Sequence, residues 1–129
     1  MIIRAVIEIV GSPKEHVEKI LGLVIEKIKK EELKVLRVDA FDAKEVKELW
    51  SCFAEVEIEF ETLERFMGFC FDYMPSSIEI LEPEELKVES GSFGDIINDL
   101  LAKLHQYDML IKGLKAENIV LKREDKNLE

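Results

Sequence analysis

A heptad repeat of mostly apolar residues runs through the last quarter of the chain, from Ser92 to about Arg123. Positions separated alternately by three and four residues are occupied by Ile97, Leu100, Leu104, Tyr107, Ile111, Leu114, Asn118 and Leu121. Four heptads of this spacing are typical of a coiled-coil seam. A helix over 93–123 would be about 45 Å long at 1.5 Å per residue, longer than a small globular domain can cover. The pattern therefore predicts a long helix whose apolar edge is completed by a partner.

Residues beside this seam indicate how two such helices would pair. Lys103 with Asp108, and Glu117 with Lys122, occupy g and following e positions with opposite charges, which attract across a parallel two-stranded coil. Asn118 occupies an a position, where a polar side chain lowers stability but favours two strands in register. We therefore predict a homo-oligomer, most simply a dimer, with the eight seam residues as its interface.

The same helix could instead pack within its own chain, across the open face of a sheet. Further apolar residues make its stripe wider than a strict seam, namely Leu101, Leu110, Ile119 and Val120. Ser92 is the expected N-cap, because its hydroxyl can accept a hydrogen bond in the first turn. Residues 84–92 then form a connector before the 93–123 helix, and 124–129 are predicted to be a disordered tail.

Length and charge limit the remaining function classes. The 129 residues, 47 % of them hydrophobic, suffice for one cored domain besides the helix. With 18 basic and 28 acidic residues, the formal charge of -10 repels phosphate backbones and anionic lipids. We expect neither a nucleic acid nor a membrane as partner. The start, MIIRAVIEIV, is typical of a strand rather than of a signal peptide, so a cytoplasmic location is expected.

The first 83 residues alternate between strand and helix patterns. Strands are predicted at 2–10, 34–41, 52–60 and 78–81, and helices at 13–31 and 63–74, with Ser12 and Thr62 as N-caps. Residues 42–50 fit either a helical turn or a hairpin arm. The order β-α-β-β-α-β is that of the α+β ferredoxin-like fold, in which the first strand lies beside the third.

Strand alternation assigns the two faces of the predicted sheet. The inward residues are Ile3, Ala5, Ile7, Ile9, Leu36, Val38, Ala40, Cys52, Ala54, Val56, Ile58 and Phe60. The outward residues are Arg4, Glu8, Arg37, Asp39, Glu55, Glu57, Glu59 and Glu79. The outer face is acidic and, apart from Phe53, lacks the aromatic residues on which RNA bases stack.

No catalytic residue, cofactor or metal site is predicted. His16 and His105 have no further ligands at metal-binding spacing, and no Gly-rich phosphate loop occurs. Cys52 and Cys70 fit buried thiols, with a disulfide as the minor alternative. The absence of these motifs disfavours an enzyme without excluding one, since spatial proximity is invisible in a sequence.

Two segments carry a resemblance to known proteins. DYMPSSIEILEP at 72–83 and INDLLAKLHQYDMLIKGLKAEN at 97–118 resemble a family of uncharacterised archaeal proteins, which implies an archaeal source and supplies no site residues. In architecture, the first 83 residues also resemble ACT-type regulatory modules, which bind small molecules at sheet-to-sheet dimer interfaces.

Two functional hypotheses follow. The first is a homo-oligomeric assembly protein that presents its acidic sheet face to an unknown protein partner. The second, implied by the ACT resemblance, is a sensor with a small-molecule pocket near Arg4, Arg37 and the aromatic side of the second helix, where Phe69, Phe71 and Tyr73 form either a contact surface or part of the core.

Overall fold

The structure, a computed structural model, describes the backbone of residues 1–128 and the side chains of residues 1–127. The chain divides into two compact units, Met1–Leu86 and a second unit that begins at Lys87. The first is an α/β unit and the second is built on one long helix, and each is described by itself.

The α/β unit contains five strands and two helices. In chain order they are β1 (Ile2–Gly11), α1 (Lys14–Lys30), β2 (Lys34–Ala40), β3 (Lys44–Val46), β4 (Leu49–Glu59), α2 (Leu63–Tyr73) and β5 (Ser77–Glu82). The main strands lie in the order β2-β4-β1-β5 with antiparallel pairing throughout, and β3 pairs with β4. Without the short β3, this is the predicted ferredoxin-like arrangement, and the α+β class is confirmed.

Strand alternation places the core on one face of the sheet. Ile3, Ala5 and Ile7 on β1 lie opposite Ile58, Val56 and Ala54 on β4, and all six are at most 3 % exposed. From α1, one helical face contributes Val17, Leu21, Ile25 and Ile28 to the same core. Because both strands alternate strictly, every second side chain of β1 and β4 is left on the opposite, open face.

The aromatic residues of α2 belong mainly to the core. Thr62 is the predicted N-cap, and its Oγ1 accepts a hydrogen bond of 3.2 Å from the backbone N–H of Arg65. The rings of Phe66 and Phe69 lie 5.4 and 5.6 Å from the ring of Phe60, and both residues are buried. Tyr73 packs on Phe69 at 5.0 Å. For Phe69 and Tyr73, the core interpretation is therefore correct.

Two local predictions in β2 and α1 were wrong. A β-bulge between Val35 and Arg37 takes Leu36 out of the alternation of β2, so that Leu36 is exposed instead of inward. Ala40 pairs with the inner-face residue Ala54 as predicted, but it is exposed at the end of the strand. Helix α1 begins after Pro13, whose carbonyl accepts the first helical hydrogen bond, from Val17 N–H at 3.1 Å. Ser12 is consequently one residue too early to be the N-cap.

Segment 42–50 adopts the hairpin alternative. Strand β3 pairs with the start of β4, and Lys47 takes a positive φ of 57° at the turn between them. With the hairpin, β4 begins at Leu49, earlier than the predicted start at residue 52. The open face of the sheet is therefore longer than the predicted four-stranded sheet would make it.

The second unit is dominated by α3 (Ser90–Leu128), a helix of 39 residues and about 58 Å. It begins before the predicted 93–123 span, since Phe93 N–H already donates to Glu89 O, and Ser92 lies inside it. Residues 124–128, expected in a disordered tail, are helical, because neither Gly nor Pro interrupts the good helix formers Lys122, Arg123 and Glu124. Glu129 lies outside the described residues.

Candidate interaction surfaces

The predicted seam forms an exposed apolar edge along α3. Its seven non-Asn members are between 37 and 60 % exposed, and Asn118 is exposed as well. A leucine or isoleucine of a packed core is almost completely hidden, as Ile3 and Ile58 are at 0 %. The sequence thus located a continuous apolar edge that the single chain leaves in contact with solvent, which is typical of an interface.

Charged residues flank this edge in the pattern expected for a coil. Lys103 and Glu117 precede a positions, and Asp108 and Lys122 follow d positions. In the single chain, Asp108 Oδ2 accepts an i,i+4 ion pair of 2.8 Å from Lys112 Nζ. This pair is exposed and therefore weak, so Asp108 remains able to attract a second cation.

The residues that widen the stripe are exposed too. Leu101, Leu110, Ile119 and Val120 are between 46 and 63 % exposed, and Met109 reaches 72 %. The alternative, in which this helix packs within its own chain, stays a prediction.

The open sheet face has an ion-paired end and an apolar end. At the first, Arg4 lies opposite Glu57 on β4 and Glu79 on β5, with N–O distances of 3.0 and 3.2 Å. The hydrogen bond to Glu57 and the neighbouring carboxylates raise the pKa of the Arg4 guanidinium. Arg37 is paired with Asp39 at 2.6 Å. A sensor pocket for an anion would require both guanidiniums to leave their carboxylates, so that hypothesis stays a prediction without support from these contacts.

The apolar end surrounds a groove beside the hairpin. Eight residues line it and enclose about 1000 Å³: Glu8, Val10, Ser12, Val46, Lys47, Glu48, Leu49 and Ser51. Val10, Val46 and Leu49 are 53, 52 and 46 % exposed. Beside the groove, the rings of Phe41 and Phe53 stack with centroids 4.7 Å apart. No sequence pattern predicted this surface, although Phe53 was expected on the outer face.

The thiols and histidines form no reactive or metal-binding group. Cys52 is buried and its Sγ–H donates to Phe41 O at 3.1 Å, and both cysteines are free. Burial raises the pKa of both thiols, which keeps them protonated and weakly nucleophilic. Within the described residues, no cluster of three His, Cys, Asp or Glu side chains could hold a metal ion. Nor does any helix in that part of the chain have the length and apolarity to cross a membrane.

The fold and its surfaces define a ferredoxin-like α/β unit joined to a long helix with an exposed apolar edge. The chain belongs to the MJ0538 family, whose family model matches residues 2–128. This confirms the resemblance to an uncharacterised family, for which no function is assigned. Comparison with the curated proteins and with the solved structures found no match.

Proposed function

We propose that this protein is a non-enzymatic assembly protein whose copies join through α3 in a parallel dimer. The observation that carries the proposal is the exposed seam, in which an apolar residue recurs at three- and four-residue intervals from Ile97 to Leu121. Complete burial of one leucine or isoleucine side chain contributes about 1.5–3 kcal/mol, so the six leucines and isoleucines of the seam, with Tyr107, supply a strong drive to associate.

The length of α3 supports the same proposal. Helical stability in proteins comes mostly from packing of an apolar face rather than from intrinsic propensity, and α3 presents such a face along its seam. Gly113, near the middle of α3, lowers helix stability by about 1 kcal/mol relative to Ala. A second helix along the seam would compensate for this weakness.

Two features favour a parallel dimer in register. Asn118 then meets its counterpart in the second copy, and two amides can hydrogen-bond to each other inside the seam. In the antiparallel arrangement of the same seam, Asn118 would face Leu100 and leave a buried amide unsatisfied. Asp108 of one helix would also lie beside Asp108 of the other, and the two negative charges would repel each other. In the parallel arrangement, Asp108 instead lies beside Lys103 of the second helix.

Sedimentation velocity on the full chain tests the proposal. We expect a dimer at micromolar concentration, and a monomer for the seam variants Leu104→Asp and Ile111→Asp, because a carboxylate would be buried without a partner. Met109→Asp is the matched control, since Met109 lies on the same helix outside the seam. It should remain dimeric.

Circular dichroism of each variant shows whether the α/β unit is still folded. A wild-type chain that sediments as a monomer would overturn the proposal. Equal dissociation of the Met109→Asp control would show that the seam has no special role.

A further inference from the structure

The groove beside the hairpin is an apolar surface with no partner of its own. Val10, Val46 and Leu49 are each about half exposed there, at the apolar end of the sheet face. Isolated exposed leucines and valines need no explanation, but here three share one groove next to the stacked Phe41–Phe53 pair. A groove that combines apolar walls with a few polar and charged neighbours is typical of a docking site.

Two carboxylates next to the groove lack an ion pair. Glu8 lies opposite Phe53, and Glu55 lies opposite Val6, so the two glutamates are diagonal neighbours on β1 and β4, about 7–8 Å apart. Within residues 1–127, neither carboxylate has a cationic group within 4 Å, because Arg4 and Arg37 are engaged elsewhere. Both glutamates therefore remain available to a cation from outside.

These charges argue against a second copy of this face as the occupant. Face-to-face pairing would bring Glu8 and Glu55 of two copies together. The hairpin beside the groove carries two lysines, Lys44 and Lys47, but Glu48 offsets part of their positive charge. Little positive charge is then left to neutralise Glu8 and Glu55 of the two copies. The net charge of -10 adds to the repulsion between copies.

We infer that the open sheet face docks a basic amphipathic segment of a partner protein. Apolar side chains of the segment fill the groove formed by Val10, Val46 and Leu49, and a lysine or arginine reaches Glu8 and Glu55. Such a segment, apolar on one side with flanking cations, satisfies the hydrophobic and electrostatic requirements together. The inference goes beyond assembly through α3 and does not depend on it.

The test uses the full chain and a short fluorescent peptide of leucine and lysine arranged as an amphipathic helix. Binding is measured by fluorescence anisotropy, and a peptide with glutamate in place of lysine is the probe control. We expect the double variant Glu8→Gln/Glu55→Gln to raise the Kd about tenfold, equivalent to about 1.4 kcal/mol. Leu49→Ser should weaken binding similarly, because it removes one wall of the groove.

Matched variants separate this site from general attraction to an acidic protein. Glu84→Gln/Glu85→Gln changes the net charge equally at exposed positions outside the face, and Leu86→Ser removes a leucine of similar exposure, 43 % against 46 %. Both controls should bind the lysine peptide like the wild type. The Leu104→Asp variant should also bind normally, since it changes only α3.

Several results would overturn the inference. Equal weakening by the Glu8/Glu55 and Glu84/Glu85 variants would mean nonspecific charge attraction, and absence of wild-type binding would remove the site. Equal affinity for the glutamate peptide would show that the carboxylates do not select cations. If Leu49→Ser instead reduced self-association in sedimentation, the groove would belong to an interface between copies.

Discussion

Arg4 and Glu57 lie directly opposite each other on β1 and β4 and form an ion pair of 3.0 Å. The same guanidinium reaches Glu79 on β5 at 3.2 Å, so one cation connects three neighbouring strands. This arrangement uses the one arginine of β1 at the ion-paired end of the face. Among residues 1–127, the carboxylates nearer the groove, Glu8 and Glu55, have no ion-pair partner within 4 Å, although the charge of Arg4 still acts on Glu55.

Replacement of Arg4 tests how charge is distributed over this face. In Arg4→Gln, Glu57 and Glu79 lose their cation, so the affinity for the leucine–lysine peptide should rise. The urea midpoint should fall, because the Arg4–Glu57 pair is part-buried and the Glu57 carboxylate, 19 % exposed, loses its cation. Arg37→Gln is the control on β2, where the freed carboxylate belongs to Asp39. A weaker peptide affinity in Arg4→Gln would mean that the cation itself takes part in docking.

The sequence predicted the core sheet because the alternation of β4 is strict. From Cys52 to Phe60, every second residue is apolar and the residues between them are mostly glutamates, so only one face could be buried. The same reasoning predicted the helix α3 and the apolar edge along it, since the heptad spacing depends on no distant part of the chain. Both patterns are local and repeat several times.

The groove could not be predicted, because it depends on pairing between distant segments. Its walls come from β1 and from the β3–β4 hairpin, and segment 42–50 offered no clear periodicity before its register was known. The bulge near Leu36 escaped prediction for a similar reason. A bulge is fixed by pairing with β4, and the apolar alternation of Leu36, Val38 and Ala40 gives no sign of it.

A single cysteine at the start of the seam tests the parallel orientation. In a chain with Cys52→Ala and Cys70→Ala, Leu100→Cys should form a disulfide between copies under mild oxidation, because a parallel coil brings the two d positions together. Nonreducing gel electrophoresis shows the covalent dimer. Met109→Cys, outside the seam, should cross-link much more slowly.

An antiparallel dimer would give the opposite pattern. Leu100→Cys alone would then remain uncrosslinked. A mixture of Leu100→Cys and Asn118→Cys chains would form the mixed disulfide, because these two positions face each other in that orientation.

Asn118 tests whether the seam continues to its C-terminal end. In the proposed dimer, replacement of the Asn118 amide by leucine adds apolar burial, so Asn118→Leu should raise the Tm of the assembly, and loss of the polar pair should loosen control of the oligomer number. Thermal melts and sedimentation equilibrium measure the two effects. Asn98→Leu, at an exposed position outside the seam, is the control and should leave the oligomer number unchanged. Unchanged stability and stoichiometry in Asn118→Leu would place residue 118 outside the interface.

The pair Lys34–Glu59 predicts a specific response to acid. Lys34 Nζ lies 2.7 Å from Glu59 Oε2, and this hydrogen bond, together with the charge of Lys34, lowers the pKa of Glu59 from its ordinary 4.5. Because the unfolded chain then binds its proton at higher pH, the contribution of the pair is complete above the unfolded pKa. It is lost as the pH falls through the lower, folded pKa.

An NMR titration of the Glu59 side-chain carboxyl should therefore give a midpoint below 4.5. Lys34→Gln should move that midpoint upward, since the donor and the charge are both removed, whereas Lys44→Gln, on the separate strand β3, should not. Wild type and Lys34→Gln should also converge in stability as the pH falls through the Glu59 midpoint, because a protonated carboxyl no longer attracts the ammonium group. A Glu59 midpoint that stays the same in Lys34→Gln would show that the ion pair does not persist in solution and that solvent sets the pKa.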